Sequence, residues 1–270
     1  MFKVKERIMS IFKKFNIYKV GITDAELYNT MTGSDYKSII VALFPYYFGE
    51  DEKSNISMYT YGKDYHRVIR GILEKVCSEL GLKEYAVHTD IGPNIERSLA
   101  LDAGLCFQGR NALCINDEYG SYFFIGYIAT GEELEVDKPL DKSCLNCNKC
   151  VEACPGGALG DGFYEEKCLS AITQKKGELT NWEKGLIKSN GYAFGCDICQ
   201  KVCPHNKNVK KSEINDFVTD IITKLELSEI SKMSNREFMK EYKDRSFSWR
   251  GKGVVERNLK ILEKNKAEIQ

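Results

Sequence analysis

Eight of the eleven cysteines lie between Cys144 and Cys203, in two blocks with Cys168 between them. The blocks read Cys144-x2-Cys147-x2-Cys150-x3-Cys154-Pro155 and Cys196-x2-Cys199-x3-Cys203-Pro204. A stretch punctuated in this way has little apolar periodicity, so its fold has to be organised by what the thiols hold. In a small secreted chain so many cysteines would indicate disulfides. In 270 residues with CxxC blocks they indicate reduced thiolates on metal.

The spacing is that of two four-iron clusters, and a pair of clusters carries electrons. A CxxCxxC turn gives three thiolates to one cube, and the fourth cysteine, the one before proline, reaches the other cluster. Cys144, Cys147, Cys150 and Cys203 are thereby assigned to one cluster. Cys196 and Cys199 begin the second, Cys154 crosses over to join them, and Cys168 is the candidate for the remaining place. Four thiolates also suit zinc; the Cys-Pro endings and interleaved ligands favour iron and sulfide. Cys77, in an apolar helix, is expected to be a packed core thiol. Cys106 and Cys114 flank a Gly-rich turn and are expected in the core or a cavity wall.

Lys plus Arg and Asp plus Glu both number 39, so no global field attracts nucleic acid or a membrane. The charged first residues are followed by no apolar run of secretory or transmembrane length. The expectation is a cytoplasmic monomer without a membrane partner.

Apolar periodicity predicts a helix over 1–15, strands at Val20–Ile22 and Ser38–Phe44, a helix through Val68, Ile72, Val76 and Leu80, and a strand at Tyr85–His88. A helix over Ile95–Ala103 and a strand over Phe123–Ala129 follow. Strands alternating with helices argue for a layered α/β (α+β) body. The expected organisation is a body over 1–140, a ferredoxin-like double-cluster module over 141–208, and a C-terminal helical segment over 209–270.

The segment Phe194-Gly195-Cys196-Asp197-Ile198-Cys199-Gln200-Lys201-Val202-Cys203-Pro204, with Cys168-Leu169-Ser170-Ala171-Ile172-Thr173-Gln174, is more specific than a generic ferredoxin. It closely resembles the epoxyqueuosine reductases, cobalamin-dependent iron-sulfur enzymes of tRNA modification. Four further segments extend the resemblance: Tyr61 to His66, Thr89 to Arg97, Ala103 to Asn111 and Gly120 to Gly126. It spans roughly residues 17–262.

The resemblance implies a corrin between the body and the clusters, with the clusters reducing cobalt to a nucleophilic state and the substrate epoxide losing its oxygen to leave an alkene. The body over 1–140 then becomes the cobalamin- and substrate-binding domain. The family's catalytic acid falls on Asp90, whose pKa a partly apolar pocket is expected to raise so that it can deliver a proton. Without the resemblance, Asp90 would read as the cap of an Ile91-Gly92-Pro93 turn. Tyr65, Asn111, Ser121, Ser170, Gln174 and Lys207 are the implied corrin contacts. Asp64-Tyr65-His66 comes near a D-x-H-x-x-G cobalt-ligand signature, but residue 69 is Ile, so His66 is expected to be structural and cobalt to have no protein ligand below it.

Departures from the family pattern bear on the substrate more than on the redox chemistry. The link from Asp24 to Tyr36 is short, helical repeats that hold the tRNA arm in longer members are not seen, and Arg110, Phe107, Tyr122 and Cys106 replace the family's Lys, Trp, Trp and Gly. Residues 229–270 carry eleven Lys or Arg against seven Asp or Glu, a pattern commoner in solvated helix faces than in phosphate contacts. Trp249 is expected to pack against the body. The favoured function is reduction of epoxyqueuosine in tRNA, fed by a low-potential donor such as ferredoxin or flavodoxin. The alternatives are a compact relative that reduces another small substrate with the same cofactors, and a ferredoxin-like electron-transfer protein.

Overall fold

The computed structural model describes residues 2–267; Met1 and residues 268–270, within the expected outer segments, lie outside the described residues. In chain order the strands are β1 (Lys19–Asp24), β2 (Ser38–Pro45), β3 (Tyr85–His88), β4 (Phe107–Gln108), β5 (Cys114–Ile115) and β6 (Phe123–Thr130). The first helices are α1 (Phe2–Lys13), α2 (Glu26–Thr32), α3 (Tyr65–Leu80) and α4 (Glu96–Asp102).

The apolar run of β2 has no polar face to turn toward water, and the fold buries both of its sides. Ile40, Ala42 and Phe44 pack into one apolar cluster with α1 and α3, while Ile39, Val41 and Leu43 pack into another with α2 and α4. Successive residues of a strand point to opposite faces, so one sheet serves two helical layers. The order is β1-β2-β6-β3, with every pairing antiparallel. The sheet is therefore of the α+β kind. Because β2 and β3 both run antiparallel to β6 between them, they are parallel to each other, and α3 crosses over from one to the other as in a split βαβ unit. The short link after β1 is not bare: it holds α2.

Residues 141–208 carry short helices only: α5 (Lys149–Ala153), α6 (Leu169–Gln174), α7 (Asn181–Asn190) and α8 (Ile198–Lys201). The remainder forms α9 (Asn215–Val218), α10 (Leu227–Ile230), α11 (Asn235–Tyr242) and α12 (Lys252–Ala267). This last segment does not fold around a core of its own. Phe217, Ile230, Phe238, Phe247 and Val255 share the apolar cluster of Ile69 and Leu73. Contact is so close at Gly62 that a Cβ there would stand 2.6 Å from Phe217 Cα. Each fully buried phenylalanine contributes about 1.5–3 kcal/mol, enough to hold the segment onto the body.

The module is tied to the body by buried polar side chains. Asp197, between two cysteines, accepts hydrogen bonds from Ser57 Oγ and from Met58 N (2.8 Å), and its burial pushes the carboxyl up. Asn258 of α12 donates to Thr173 O (2.6 Å) and Ala193 O (2.8 Å). Asp197→Ala would leave two buried donors without an acceptor, a loss of about 1–3 kcal/mol. The expected result is a Tm lower by roughly 3–10 °C in a thermal melt; an unchanged Tm would show that the joint is not under this load.

Candidate active site

The split βαβ unit brings the end of β3 and the start of α3 to one edge of the sheet, where the carboxyl ends of strands commonly form sites. Asp64 caps α3 by accepting from His66 N (3.0 Å) and meets His66 Nδ1 at 2.7 Å. The other ring nitrogen, Nε2, lies 3.4 Å from Asp90 Oδ2. Tyr65 donates its hydroxyl to the same oxygen, and its ring stacks on Phe124 at 4.1 Å and on His66 at 4.0 Å. Asp64, His66 and Asp90 thus form a continuous array, with Tyr65 fixing its outer end.

Asp90 sits on a tight loop. Asp90 (φ 51°) and Asn94 (φ 55°) both occupy the left-handed region, which Asp and Asn tolerate better than other side chains. Thr89 Oγ1 anchors the loop by donating to Ile125 O (2.9 Å), while Ile91 beyond it is exposed.

The expected rise in the Asp90 pKa is not found. Partial burial pushes the carboxyl up, but hydrogen bonds from His66 and Tyr65 and the charges of His66 and Arg97 outweigh it and hold the group below the usual carboxylate range. The side chain is still 62 % exposed, so its carboxylate remains open to solvent. His66 moves the other way. Burial pulls it down, yet the two flanking aspartates raise it to about 9. At neutral pH the proton of the array therefore rests on the imidazole.

A folded-state pKa raised above the ordinary histidine value gives stabilisation that is complete below that value and lost as pH rises through about 9. Activity that needs this proton should fall across the same interval. In a pH profile His66→Gln is expected to abolish the alkaline limb near pH 9; persistence of that limb in the variant would assign it to another group.

The thiols gather in two recesses. Cys144, Cys147, Cys150 and Cys203 line one, beside Arg110 and Asn111. Cys154, Cys168, Cys196 and Cys199 line part of a cavity of about 420 Å³ that opens between the module and the body. The electrostatics follow the same grouping: burial pushes Cys203 up and Cys144 and Cys147 add to it, while burial raises Cys196 to about 12, with Cys168 and Cys154 among the groups that add. Crowded, desolvated thiols disfavour free thiolate, and a cationic iron-sulfur group would relieve this. Among the described residues, no three thiol, imidazole or carboxylate groups converge on a single ion-sized point.

The inner cavity continues outward into a second, of about 760 Å³, with Arg97, Phe163, Cys168 and Ser170 as shared walls. Of the implied corrin contacts, Asn111, Ser121 and Ser170 line the inner cavity and Gln174 the outer. The Asn111 Nδ2 is buried without a hydrogen-bond partner, as expected of a group waiting for an acceptor. The Ser121 hydroxyl already accepts from Gln200 Nε2 (3.1 Å) and Asn206 Nδ2 (2.9 Å). Tyr65 spends its hydroxyl on Asp90, and Lys207 is exposed, outside both linings. Trp249 is not packed away: it is 58 % exposed at the outer cavity, donates Nε1 to Gln174 Oε1 (3.1 Å), and carries the Arg250 guanidinium 3.6 Å over its ring. Cys106 and Cys114 are buried, Cys106 just before β4 and Cys114 in β5. The sequence offered one signal for the array, the unbroken run Asp64-Tyr65-His66 at a helix start.

Residues 30–91 match the family model described as Epoxyqueuosine reductase QueG, DUF1730, and residues 143–206 match a 4Fe-4S double cluster binding domain. An epoxyqueuosine reductase of Lactococcus garvieae is 31 % identical over 303 residues, covering 96 % of this chain and 86 % of that protein. The chain belongs to the epoxyqueuosine reductase family. Family members differ in extent: the Bacillus cereus epoxyqueuosine reductase is 35 % identical over 206 residues, which are 74 % of this chain but 54 % of that protein. An epoxyqueuosine reductase solved with an epoxyqueuosine-modified stem loop of tRNA-Tyr matches with a TM-score of 0.84 at 26 % identity, over 98 % of this chain and 82 % of that one. The Bacillus subtilis epoxyqueuosine reductase, solved with its catalytic aspartate loop swung out of the active site, matches with a TM-score of 0.82 at 26 % identity, over 98 % and 82 %. A reductive dehalogenase, 18 % identical with a TM-score of 0.54, shares the fold over 97 % of this chain and 36 % of its own.

Proposed function

We propose that this chain reduces epoxyqueuosine in tRNA to queuosine, with electrons drawn through two four-iron clusters and protons supplied through the Asp64–His66–Asp90 array. One observation carries the reading. Tyr59 lines the inner cavity with the inner thiols, and its ring stands edge-on to Tyr65 at 6.4 Å, whose hydroxyl holds Asp90, so the proton array lies directly behind the cavity wall. The family's printed activity, and the relative solved with an epoxyqueuosine-modified stem loop, support the choice of substrate.

Removing an epoxide oxygen as water consumes two electrons and two protons. The outer thiol set, with Cys147 exposed, suits electron entry from a low-potential donor such as ferredoxin or flavodoxin, and the inner set faces the cleft. Bound there, cobalamin would supply a low-valent, nucleophilic cobalt to open the epoxide. Asn111, Ser170 and Gln174 fit as its contacts, given the unpartnered Asn111 amide and the continuous cavity. His66 stores a proton at Nε2 and Asp90 passes it on to the oxygen released from the ring. Tyr65, held protonated by its burial and by Asp90, keeps the carboxylate aimed. Arg97 lines both cavities and adds positive charge where an oxyanion develops.

The reading is tested in cells by digesting tRNA from a strain lacking this gene and any paralogue. Epoxyqueuosine is expected to accumulate at the expense of queuosine; normal queuosine would contradict it.

A further inference from the structure

A groove of about 640 Å³ runs between α7 and α12, outside the cleft, and the redox chemistry makes no use of it. Lys184 and Lys188 of α7 and Arg257 and Lys260 of α12 line it, against one carboxylate, Glu256. Each pair is about one helical turn apart, so both helices aim their cations at the same trough. Its walls are lowered by Gly185 and Gly253, where an added Cβ would meet nothing within 4 Å. Glu256 is engaged by Lys252 (3.1 Å) and Lys260 (2.6 Å).

Arg257 gives the second observation. Its Nη1 donates to Lys175 O (2.8 Å) and Gly177 O (2.6 Å), and its Nε to Asn258 Oδ1 (3.0 Å). Its Nη2 is buried with no hydrogen-bond partner. A guanidinium N–H left in that state is unsatisfied, and an anionic oxygen would complete it. The bonds to Lys175 and Gly177 also set the groove beside the loop that leaves α6. Lys175, Gln174 and Trp249 of that neighbourhood line the outer cavity. A cationic trough thus leads to the cleft mouth, with the exposed Trp249 and the half-buried Arg250 stacked on it at the junction.

We infer that the α7/α12 groove seats the phosphate backbone of the tRNA stem while the modified nucleotide enters the cleft past Trp249. This rests on the tRNA reading above. Phosphate oxygens suit cations presented from two helices to one trough, whereas Ile261 is the one large apolar side chain in the lining, too little for a membrane surface or a protein hot spot.

The test is fluorescence anisotropy of an epoxyqueuosine-type tRNA stem loop, titrated across a salt series with wild type and with the Lys184→Gln/Lys260→Gln variant. The variant should bind roughly tenfold more weakly at physiological salt, with a log–log salt slope shallower by about 1.8, since each lost phosphate contact on a duplex removes about 0.9. Lys240→Gln on α11, outside the groove, should leave the slope unchanged. Unaltered iron content and Tm establish that the variants are folded. Wild-type binding with no change in the double variant would overturn the groove and leave the tRNA reading standing; no binding by wild type would overturn both.

Discussion

Asp90→Asn lowers turnover on epoxyqueuosine tRNA by about 10²–10⁴-fold, the range over which a positioned proton donor contributes. Asparagine is the informative replacement here. It tolerates the left-handed backbone of residue 90 as readily as aspartate, so the loop keeps its course. It can still accept from Tyr65, but it can neither carry a proton nor pair with the His66 imidazolium. Iron content, cobalamin binding and tRNA affinity should stay near wild type. With one flanking charge gone, the His66 pKa should fall, so whatever activity remains declines at lower pH. A variant that turns over within threefold of wild type would show that the proton travels by another route.

Cys168→Ala removes turnover altogether and lowers iron from about eight to about four per chain, because one cube loses a ligand while the other keeps all four. The substitution is structurally mild. Cys168 precedes α6 in an extended conformation, and the apolar contacts of that helix are made by Leu169 and Ile172 against Ile187. Cys77→Ala, deep in α3 and away from both recesses, should keep about eight irons. Iron analysis and the absorption spectrum of anaerobically reconstituted protein check both variants. Full iron content in Cys168→Ala would remove this thiol from the ligand set.

What the sequence could show depended on whether the signal was local. The run at β2 announced a strand buried on both faces, and the cysteine spacing announced which thiols could meet, because both are properties of consecutive residues. The direction of the sheet was hidden: alternating strands and helices suit a parallel sheet and a split βαβ unit alike, and only β6, pairing between β2 and β3, decides. The ionisation of Asp90 was hidden for the same reason. Its apolar setting argued for a raised pKa, while the residues that reverse the shift, Tyr65 and His66, lie far upstream and reach it only through the crossover of α3. Lys260 belonged to a run that reads as a solvated helix face, and nothing local ties it to Lys184; only the packing of α7 against α12 brings the two to one groove. Trp249, expected to pack, stands exposed at the cleft because its indole N–H finds Gln174 there.

The central claim is that this cleft deoxygenates an epoxide on tRNA. Its most direct test is a single-turnover assay. Protein reconstituted without oxygen with iron, sulfide and cobalamin is reduced by a low-potential donor and mixed with tRNA carrying epoxyqueuosine, and the digested nucleosides are weighed by mass spectrometry. The account predicts conversion of epoxyqueuosine to a nucleoside lighter by one oxygen, queuosine, dependent on cobalamin and lost in Asp90→Asn. Unchanged epoxyqueuosine in the presence of both clusters and bound cobalamin would contradict it.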